Sequence, residues 1–340
     1  MASTTLTSWA LLIWNALQDA GIDARKVFDK VGLDPARLGD GNARYKIEGM
    51  RKLWQAAVEH ANDPCFGVET GKRWNSTTFH ALGFAWLASA SLIDAFERME
   101  RYSRLVNDAI STDLDRAGTN YQFIIKVSES PELVHPASLD AAIVAIIKMC
   151  RMLIGDSFAP IEVHAKGARS ASAVCLETFV HAPVIYDRED YMLLIDRHDM
   201  ERTLASTNTE LIRANEMVAL QYLAKLDRTN VSMQVKTKII ELLPSGQARE
   251  EDVAAALNIS LRTMQRKLRE QGESFSRLLS TMKKEMAENY IQDSQLSINE
   301  IAYLLGFSDQ ANFTRAFRRW NGSTPSEYRL NLRNQSAISR

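Results

Sequence analysis

The sequence predicts an α+β N-terminal domain with a small, mostly antiparallel sheet, followed by an all-α domain of two helix-turn-helix motifs joined by a long helix. Three observations predict this fold class. The chain has 340 residues, 46% of them hydrophobic, which is enough for two domains. Within residues 1–205 the hydrophobic spacing changes from helical to alternating and back. Near the C-terminus a capped helix pair occurs twice.

Residues 1–105 are predicted to be helical, because apolar residues recur there three and four positions apart. In the first helix Trp9, Ile13 and Ala16 share one face, and Gly21 provides a stop. The predicted helices cover residues 9–17, 23–30, 47–60, 81–90 and 92–106.

Strands and helices alternate over the rest of the first domain. A turn-forming cluster at 117–120 separates two alternating runs, 110–116 and 121–127, and predicts a β-hairpin. Residues 136–154 are apolar almost all round, which predicts a buried central helix. The remaining predicted elements are a strand at 161–165, a helix at 172–180 and a second hairpin at 184–195 that turns at 187–189.

An amphipathic segment divides the chain. Residues 206–230 carry apolar residues at helical spacing and are interpreted as a linker helix between domains of residues 1–205 and 231–332. From residue 230 onward there are 16 Lys and Arg against 12 Asp and Glu, whereas residues 1–229 have 25 against 30. A basic end on an acidic body is typical of a nucleic-acid module attached to a sensor.

The most informative stretch is residues 297–329. Ser297 and Glu300 match a capping box at a helix start, and Gly306 supplies a left-handed stop. A second helix follows, with one apolar face and one arginine-rich face, and it ends at Gly322. Two short helices joined by a tight turn, the second of them polar, describe a helix-turn-helix.

The same unit occurs once upstream. Six positions match directly, and three more match after one inserted residue. The pairs are Val253 and Ile301, Ala254 and Ala302, Leu257 and Leu305, Asn258 and Gly306, Ile259 and Phe307, Ser260 and Ser308, Met264 and Phe313, Arg266 and Arg315, and Leu268 and Phe317. Between the copies, residues 275–292 have one apolar face and predict a long connecting helix. A bundle with a merely solvated basic face is the alternative, and the duplication together with the caps argues against it.

This part of the chain, residues 231–332, resembles the DNA-binding domain of the AraC/XylS family of bacterial transcription regulators. The most specific matches are Ile298, Ile301, Ala302, Gly306, Phe307, Phe313, Arg315, Phe317, Gly322, Pro325 and Tyr328. The resemblance implies two recognition helices, 262–269 and 310–319, that bind double-stranded promoter or operator DNA. The residues expected to contact DNA are Arg262, Thr263, Gln265, Arg266, Arg269, Ser308, Gln310, Asn312, Thr314, Arg315, Arg318 and Arg319. Among these, Arg266 and Arg315 are expected to read bases, and Arg269, Arg318 and Arg319 to contact phosphates.

The first domain also has a resemblance. The runs LGFAWLASASLIDAFERMERYSRL, APIEVHAKG and FVHAPVIYDREDYMLLIDRHDMERTL are similar to the arabinose-binding-like sensor domain of ornithine-utilisation and mycobacterial virulence-type regulators, over residues 20–205. The resemblance implies a cytoplasmic domain that binds a small-molecule effector of unknown identity and forms a homodimer. RNA polymerase is expected as a further partner, and the expected role is activation of a catabolic or virulence-type operon, with repression as the alternative that the sequence leaves open.

A cluster of aromatic residues predicts the effector pocket within residues 70–200, since pockets are generally apolar with a few placed polar groups. The predicted ligand-binding residues are Trp74, Phe79, His80, Phe84, Trp86 and Arg104. For His80, a satisfied histidine within an aromatic core is the alternative.

Catalysis and metal binding are not indicated. The six histidines show no close metal pairing and there is no glycine-rich phosphate loop, so no metal and no cofactor are expected. Cys65, Cys150 and Cys175 are odd in number and widely spaced, and are interpreted as reduced thiols of a cytoplasmic protein. Residues 74–93 are uncharged but too polar to span a membrane.

The sequence is compatible with three functional classes: a ligand-responsive regulator, a constitutive DNA binder whose first domain only dimerises, and an enzyme tethered to DNA. The third needs a zinc-held reactive cysteine, and the sequence shows no such cluster. The first is favoured over the second, because the N-terminal domain is larger than dimerisation requires.

Overall fold

The computed structural model describes residues 3–116, 118–127, 134–204, 214–215, 218, 230–243, 248–292 and 296–338. The chain divides into two compact units, Met1–Asn215 and Glu216–Arg340. The division falls inside the segment 206–230. Nearly all of that segment, and with it the predicted linker helix, lies outside the described residues.

Helices surround a small sheet in the N-terminal unit. The helices are α1 (Thr7–Asp19), α2 (Ala24–Lys30), α3 (Ile47–Ala61), α4 (Phe66–Lys72), α5 (Ala81–Leu87), α6 (Leu92–Tyr102), α7 (Pro136–Ile154), α8 (Ala173–Val180) and α9 (Arg197–Glu201). The strands are β1 (Thr4–Leu6), β2 (Arg44–Lys46), β3 (Ile110–Asp115), β4 (Tyr121–Val127), β5 (Glu162–Lys166), β6 (Val184–Arg188) and β7 (Tyr191–Ile195). The larger sheet has the order β3-β4-β7-β5-β6, and each pairing is antiparallel except that of β5 with β6. The α+β fold class with a mostly antiparallel sheet is confirmed.

The expectation that residues 1–105 are entirely helical is wrong at two places. Strand β1 pairs antiparallel with β2, and Thr5 also bridges to Asn107. Each of the two strands has three residues. Such a strand is too short to show alternation in the sequence, and only a partner about forty positions away satisfies its backbone groups.

The second predicted hairpin is also wrong. Strands β6 and β7 follow each other closely in the chain, but β5 lies between them and pairs with both. Val163 of β5 is fully buried and lies opposite Val184 on one side and Leu193 on the other. Alternating hydrophobicity predicts a strand but does not specify its neighbour, which is decided by the packing of the whole sheet.

Helix α7 is the buried centre of the unit, as predicted. Ile143, Val144 and Ile147 are fully buried, and the Trp86 ring nitrogen donates to the Met149 carbonyl at 3.0 Å. Helix α4 packs directly on α7. A Cβ atom at Gly67 would lie 2.5 Å from a carbonyl oxygen of α7, so this close approach requires glycine.

The interpretation of all three cysteines as reduced thiols is wrong for two of them. Cys65, at the start of α4, forms a disulfide with Cys175 of α8, and their Cα atoms are 5.8 Å apart. The two positions are separated by 110 residues, so their meeting depends on how α4 and α8 pack. Cys150 is free and buried.

The C-terminal unit consists of helices in its described part. They are α10 (Val231–Leu242), α11 (Glu250–Ala256), α12 (Leu261–Glu270), α13 (Phe275–Gln292), α14 (Ile298–Leu304), α15 (Gln310–Asn321) and α16 (Pro325–Ile338). Two hydrophobic clusters hold them together. The first joins α10, α11 and α12 to the beginning of α13, and the second joins α14 and α15 to its end. Met286 packs against both clusters, so α13 is the predicted connecting helix.

Candidate nucleic-acid interface and N-terminal cavity

The turns of the two helix-turn-helices have the same backbone geometry. The amide of Ile259 donates to Ala254 at 3.1 Å, and the equivalent amide of Phe307 donates to Ala302 at 2.9 Å. Asn258 and Gly306 occupy equivalent positions and have φ angles of 55° and 65°. Asparagine tolerates the left-handed conformation better than most residues, so the first copy keeps the turn without glycine.

Helix α12 is positioned by one buried face. Met264 and Leu268 are buried in the first cluster, and the hydroxyl of Ser260 caps the helix by accepting from the amide of Thr263 at 3.1 Å. The opposite face holds the predicted DNA-contacting residues of this copy. Arg262, Arg266 and Arg269 are exposed, and Thr263 and Gln265 are half-buried.

Two of these side chains already have acidic partners. Arg266 forms an ion pair with Glu270, one turn further along the helix. The Gln265 amide donates to the Glu250 carboxylate of α11 at 3.1 Å. Helix α12 therefore carries a carboxylate next to the arginine that is predicted to contact bases.

Helix α15 orients its arginine differently. Asp309 caps the helix through the amide of Asn312 at 2.7 Å, and hydrogen bonds, chiefly from that amide, hold the pKa of Asp309 below its usual value. The Asn312 side chain donates to Ser308 at 2.8 Å and accepts from Arg315. Arg315 is thus held by a neutral amide, whereas its equivalent Arg266 is held by a carboxylate.

The other predicted residues of the second copy surround this network. Gln310, Arg318 and Arg319 are exposed and Thr314 is half-buried. The opposite face, with Phe313 and Phe317, is fully buried in the second cluster. All twelve predicted residues therefore lie on or at the start of α12 and α15, on the sides away from the two hydrophobic clusters.

Helix α13 sets the separation of the two motifs. It has 18 residues, which corresponds to about 27 Å at 1.5 Å per residue. The second motif is anchored to it by three contacts. The Trp320 ring nitrogen donates to Ser280 at 3.1 Å, the Lys283 ammonium lies 4.3 Å from the centre of the Phe307 ring, and Arg329 donates to the Ile291 carbonyl at 2.9 Å.

We expect Glu270→Gln to strengthen DNA binding several-fold, because it removes a negative charge beside the DNA-facing side of α12 and frees Arg266 from its ion pair. The plot of log affinity against log salt should steepen by up to about 0.9. Glu48→Gln, the same charge change at an exposed position of α3, serves as the control and should change neither quantity. An unchanged slope for Glu270→Gln, measured by fluorescence anisotropy at several salt concentrations, would contradict the role assigned to this face.

The N-terminal unit contains a cavity of about 90 Å³ that is partly open to solvent and has room for several water molecules or a small organic molecule. Its walls come from α1, α3, α6, α7, β3 and β4 and the segments next to them. The lining residues are Thr5, Trp9, Ile47, Met50, Arg51, Trp54, Phe79, Met99, Ser103, Val106, Asn107, Ile110, Thr112, Ile125, Val134, His135, Ser138, Ala142 and Ile146.

Of the six predicted ligand-binding residues, only Phe79 lines this cavity. Trp74 and Trp86 are buried in the core, and Phe84 is 40% exposed. His80 has a φ angle of 52°, and burial, followed by the charge of Arg44, lowers its pKa. Arg104 lies in a short 3-10 helix, Ser103–Leu105, outside the lining.

For the lining residues outside the prediction, the sequence carries one signal. Ile47, Met50, Arg51 and Trp54 are spaced three and four positions apart and share a face of α3. Arg51 is the one charged residue among these four. His135, from the segment before α7, has no comparable local signal.

Among the residues that the structure describes, no group of three or more His, Cys, Asp or Glu side chains could hold a metal ion. No helix in the described part of the chain is long and apolar enough to cross a membrane.

Comparison with known proteins assigns both halves of the chain. Residues 21–204 match the family described as the arabinose-binding domain of AraC transcription regulators, N-terminal, and residues 253–331 match a helix-turn-helix domain family. The ornithine utilization regulator of Pseudomonas aeruginosa is 26% identical over 328 residues, 95% of each chain. The urease operon transcriptional activator of Escherichia coli is 36% identical over 100 residues, 29% of this chain and 34% of its own.

One solved structure covers nearly the whole chain. The crystal structure of the transcriptional regulator CdpR from Pseudomonas aeruginosa aligns with a TM-score of 0.50 and 19% identity, over 94% of this chain and 98% of CdpR. At this identity the likeness concerns the fold. These relatives are transcription regulators rather than enzymes.

Proposed function

Because the chain belongs to the AraC-type family of DNA-binding transcription regulators with an arabinose-binding-type N-terminal domain, we propose that a small-molecule effector in its N-terminal cavity controls its activity at promoters. The observation that supports this is the cavity itself. Small-molecule sites are generally concave and mostly apolar with a few placed polar side chains, and this cavity has that character.

The proposal for DNA places α12 and α15 in successive major grooves. Arg266 and Arg315 would contact base edges, and Arg269, Arg318 and Arg319 would contact phosphates. The equal turn geometry of the two motifs and their common connecting helix support it.

We further propose that the protein acts as a homodimer, contacts RNA polymerase and activates an operon of catabolic or virulence type. The relatives named for ornithine utilisation and for activation of the urease operon support the catabolic role and the activation. Binding to chromosomal DNA would place the protein in the cytoplasm.

A variant that fills the cavity tests effector control. Ala142, half-buried on α7, lines the cavity, and Ala142→Leu adds three carbon atoms into it. Genomic footprints of the full-length protein across growth conditions should show condition-dependent occupancy for the wild type and fixed occupancy for Ala142→Leu. Met152→Ala, at a 49% exposed position of the same helix, should behave like the wild type.

Condition-independent occupancy for the wild type as well as the variant would instead favour the constitutive regulator. A circular dichroism spectrum and melting curve of each variant confirm that it is folded before the footprints are compared.

A further inference from the structure

We infer that the N-terminal cavity takes an apolar molecule that carries one anionic group, such as an aliphatic or aromatic carboxylate. The inference rests on the proposed use of this cavity as the effector site and specifies the chemistry of the ligand. Three observations support it: the apolar character of the cavity walls, the hydrogen bonds that already occupy most polar groups of the lining, and the sign of the one permanent charge in the lining.

The walls select an apolar body. The cavity is lined by the aromatic rings of Trp9, Trp54 and Phe79 and by methionine, isoleucine and valine side chains. Burying an apolar body against such walls stabilises the complex by roughly 25 cal/mol per Å² removed from water. A sugar or a zwitterionic amino acid would leave most of its polar groups without partners there.

Most hydroxyl groups in the lining are already engaged. Thr5 donates to the carbonyl of Val106 at 3.0 Å, and Thr112 donates to that of Met99 at 3.3 Å. Ser138 donates to the carbonyl of His135 at 2.7 Å. The remaining hydroxyl, that of Ser103, can either donate or accept.

Two further polar side chains of the lining, His135 and Asn107, each keep a hydrogen-bond donor that can serve a ligand. The Nδ1 atom of His135 accepts from the amide of Ala137 at 3.2 Å, so the proton of the neutral ring lies on Nε2. Burial, with the charge of Arg51 as the next cause, lowers the pKa of His135 and keeps the ring neutral. The Oδ1 atom of Asn107 accepts from the amide of Ala109 at 3.0 Å, which leaves its NH₂ group as a donor.

The charge comes from Arg51. This side chain is exposed and lines the cavity, so it lies where the cavity opens to solvent. His135 also lines the cavity, and Arg51 is one of the charged groups that act on its pKa, together with the opposing carboxylate of Glu59. Arg51 has no ion pair within the described part of the chain, and no described lining residue is Asp or Glu.

An anion satisfies this arrangement and a cation does not. A carboxylate near Arg51 is attracted by the positive charge of the guanidinium group and can accept a hydrogen bond from it. The carboxylate can also accept a hydrogen bond from His135, and both hydrogen bonds are charge-assisted. An amine would bring a second positive charge to Arg51, and none of the described lining residues is an Asp or Glu that would balance it. A neutral alcohol would accept only ordinary hydrogen bonds.

Matched compounds test the inference on the full-length protein. The aromatic series is 3-phenylpropionate, 3-phenylpropan-1-ol and 3-phenylpropylamine, and the aliphatic series is octanoate, 1-octanol and octylamine. Within a series only the terminal group differs. Binding is measured by calorimetry, and quenching of tryptophan fluorescence reports occupancy beside Trp9 and Trp54.

We expect at least one carboxylate to bind about tenfold or more tightly than its alcohol, and neither amine to bind. Arg51→Gln should weaken the carboxylate about tenfold and leave the alcohol unchanged. Lys52→Gln is the matched control. It removes the same charge from the neighbouring exposed position, which does not line the cavity, and should leave both affinities unchanged.

Three results would overturn the inference: no binding of either carboxylate, an amine or alcohol that binds as tightly as its carboxylate, or an Arg51→Gln variant that binds the carboxylate like the wild type. Effector control fails separately. If a carboxylate binds but does not change DNA affinity, the ligand chemistry stands and the proposed function falls. If an amine binds and changes DNA affinity, the proposed function stands and the inferred ligand chemistry falls.

Discussion

Phe317→Ala is expected to lower the free energy of unfolding of the second helix-turn-helix by about 3–5 kcal/mol. Phe317 is fully buried, and its ring centre lies 5.7 Å from that of Phe313 and 5.4 Å from that of Tyr328. Among the described residues, eight form the buried part of the second cluster, so removal of one ring leaves a void that so small a core cannot fill.

The loss should stay within the second motif. Within the residues that the structure describes, the two clusters share no buried residue, and Met286 is the one partly buried residue that packs against both. Hydrogen exchange of the full-length protein should therefore show lost protection in α14 and α15 with α11 and α12 retained. Leu268→Ala, at the equivalent position of the first copy, is the matched control and should show the opposite pattern. A uniform loss of protection across both motifs would contradict the two-core description.

Arg266→Ala and Arg315→Ala are expected to relax base preference at two different positions, about ten base pairs apart. The two arginines are equivalent in the repeat, and α13 spans about 27 Å, close to the roughly 34 Å of one turn of B-DNA. A bidentate contact from arginine to guanine is worth about 1–3 kcal/mol of discrimination.

Arg319→Ala provides the contrast. Arg319 lies near the end of α15 and is exposed, a position suited to a phosphate. Its removal should weaken all DNA sequences alike and reduce the salt slope by about one. Binding-site selection on each variant, with a salt titration beside it, separates the two classes. The assignment of two grooves falls if Arg266→Ala and Arg315→Ala alter the same base pair, or if neither alters any.

Local signals in the sequence determined the C-terminal unit. The capping box of Ser297 and Glu300 forms as predicted, with hydrogen bonds of 2.7 and 3.1 Å, and Gly306 and Gly322 take left-handed conformations. Caps, stops and helical periodicity act over four residues or fewer, so a single sequence carries them in full. The internal repeat aligns the two copies position by position. This alignment predicted that α12 and α15 are equivalent second helices of their motifs.

Only the tertiary structure decided the features that join distant parts of the chain. It placed β5 between β6 and β7, joined Cys65 to Cys175, and put Arg51 and His135 at one cavity while five of the six predicted pocket residues lie outside it. Each depends on which surfaces pack together to satisfy backbone groups and bury apolar area over the whole unit. Periodicity indicates which face of a helix or strand is buried, but it does not indicate which other element packs against that face. The packing partners determine the sheet order and the lining of the cavity.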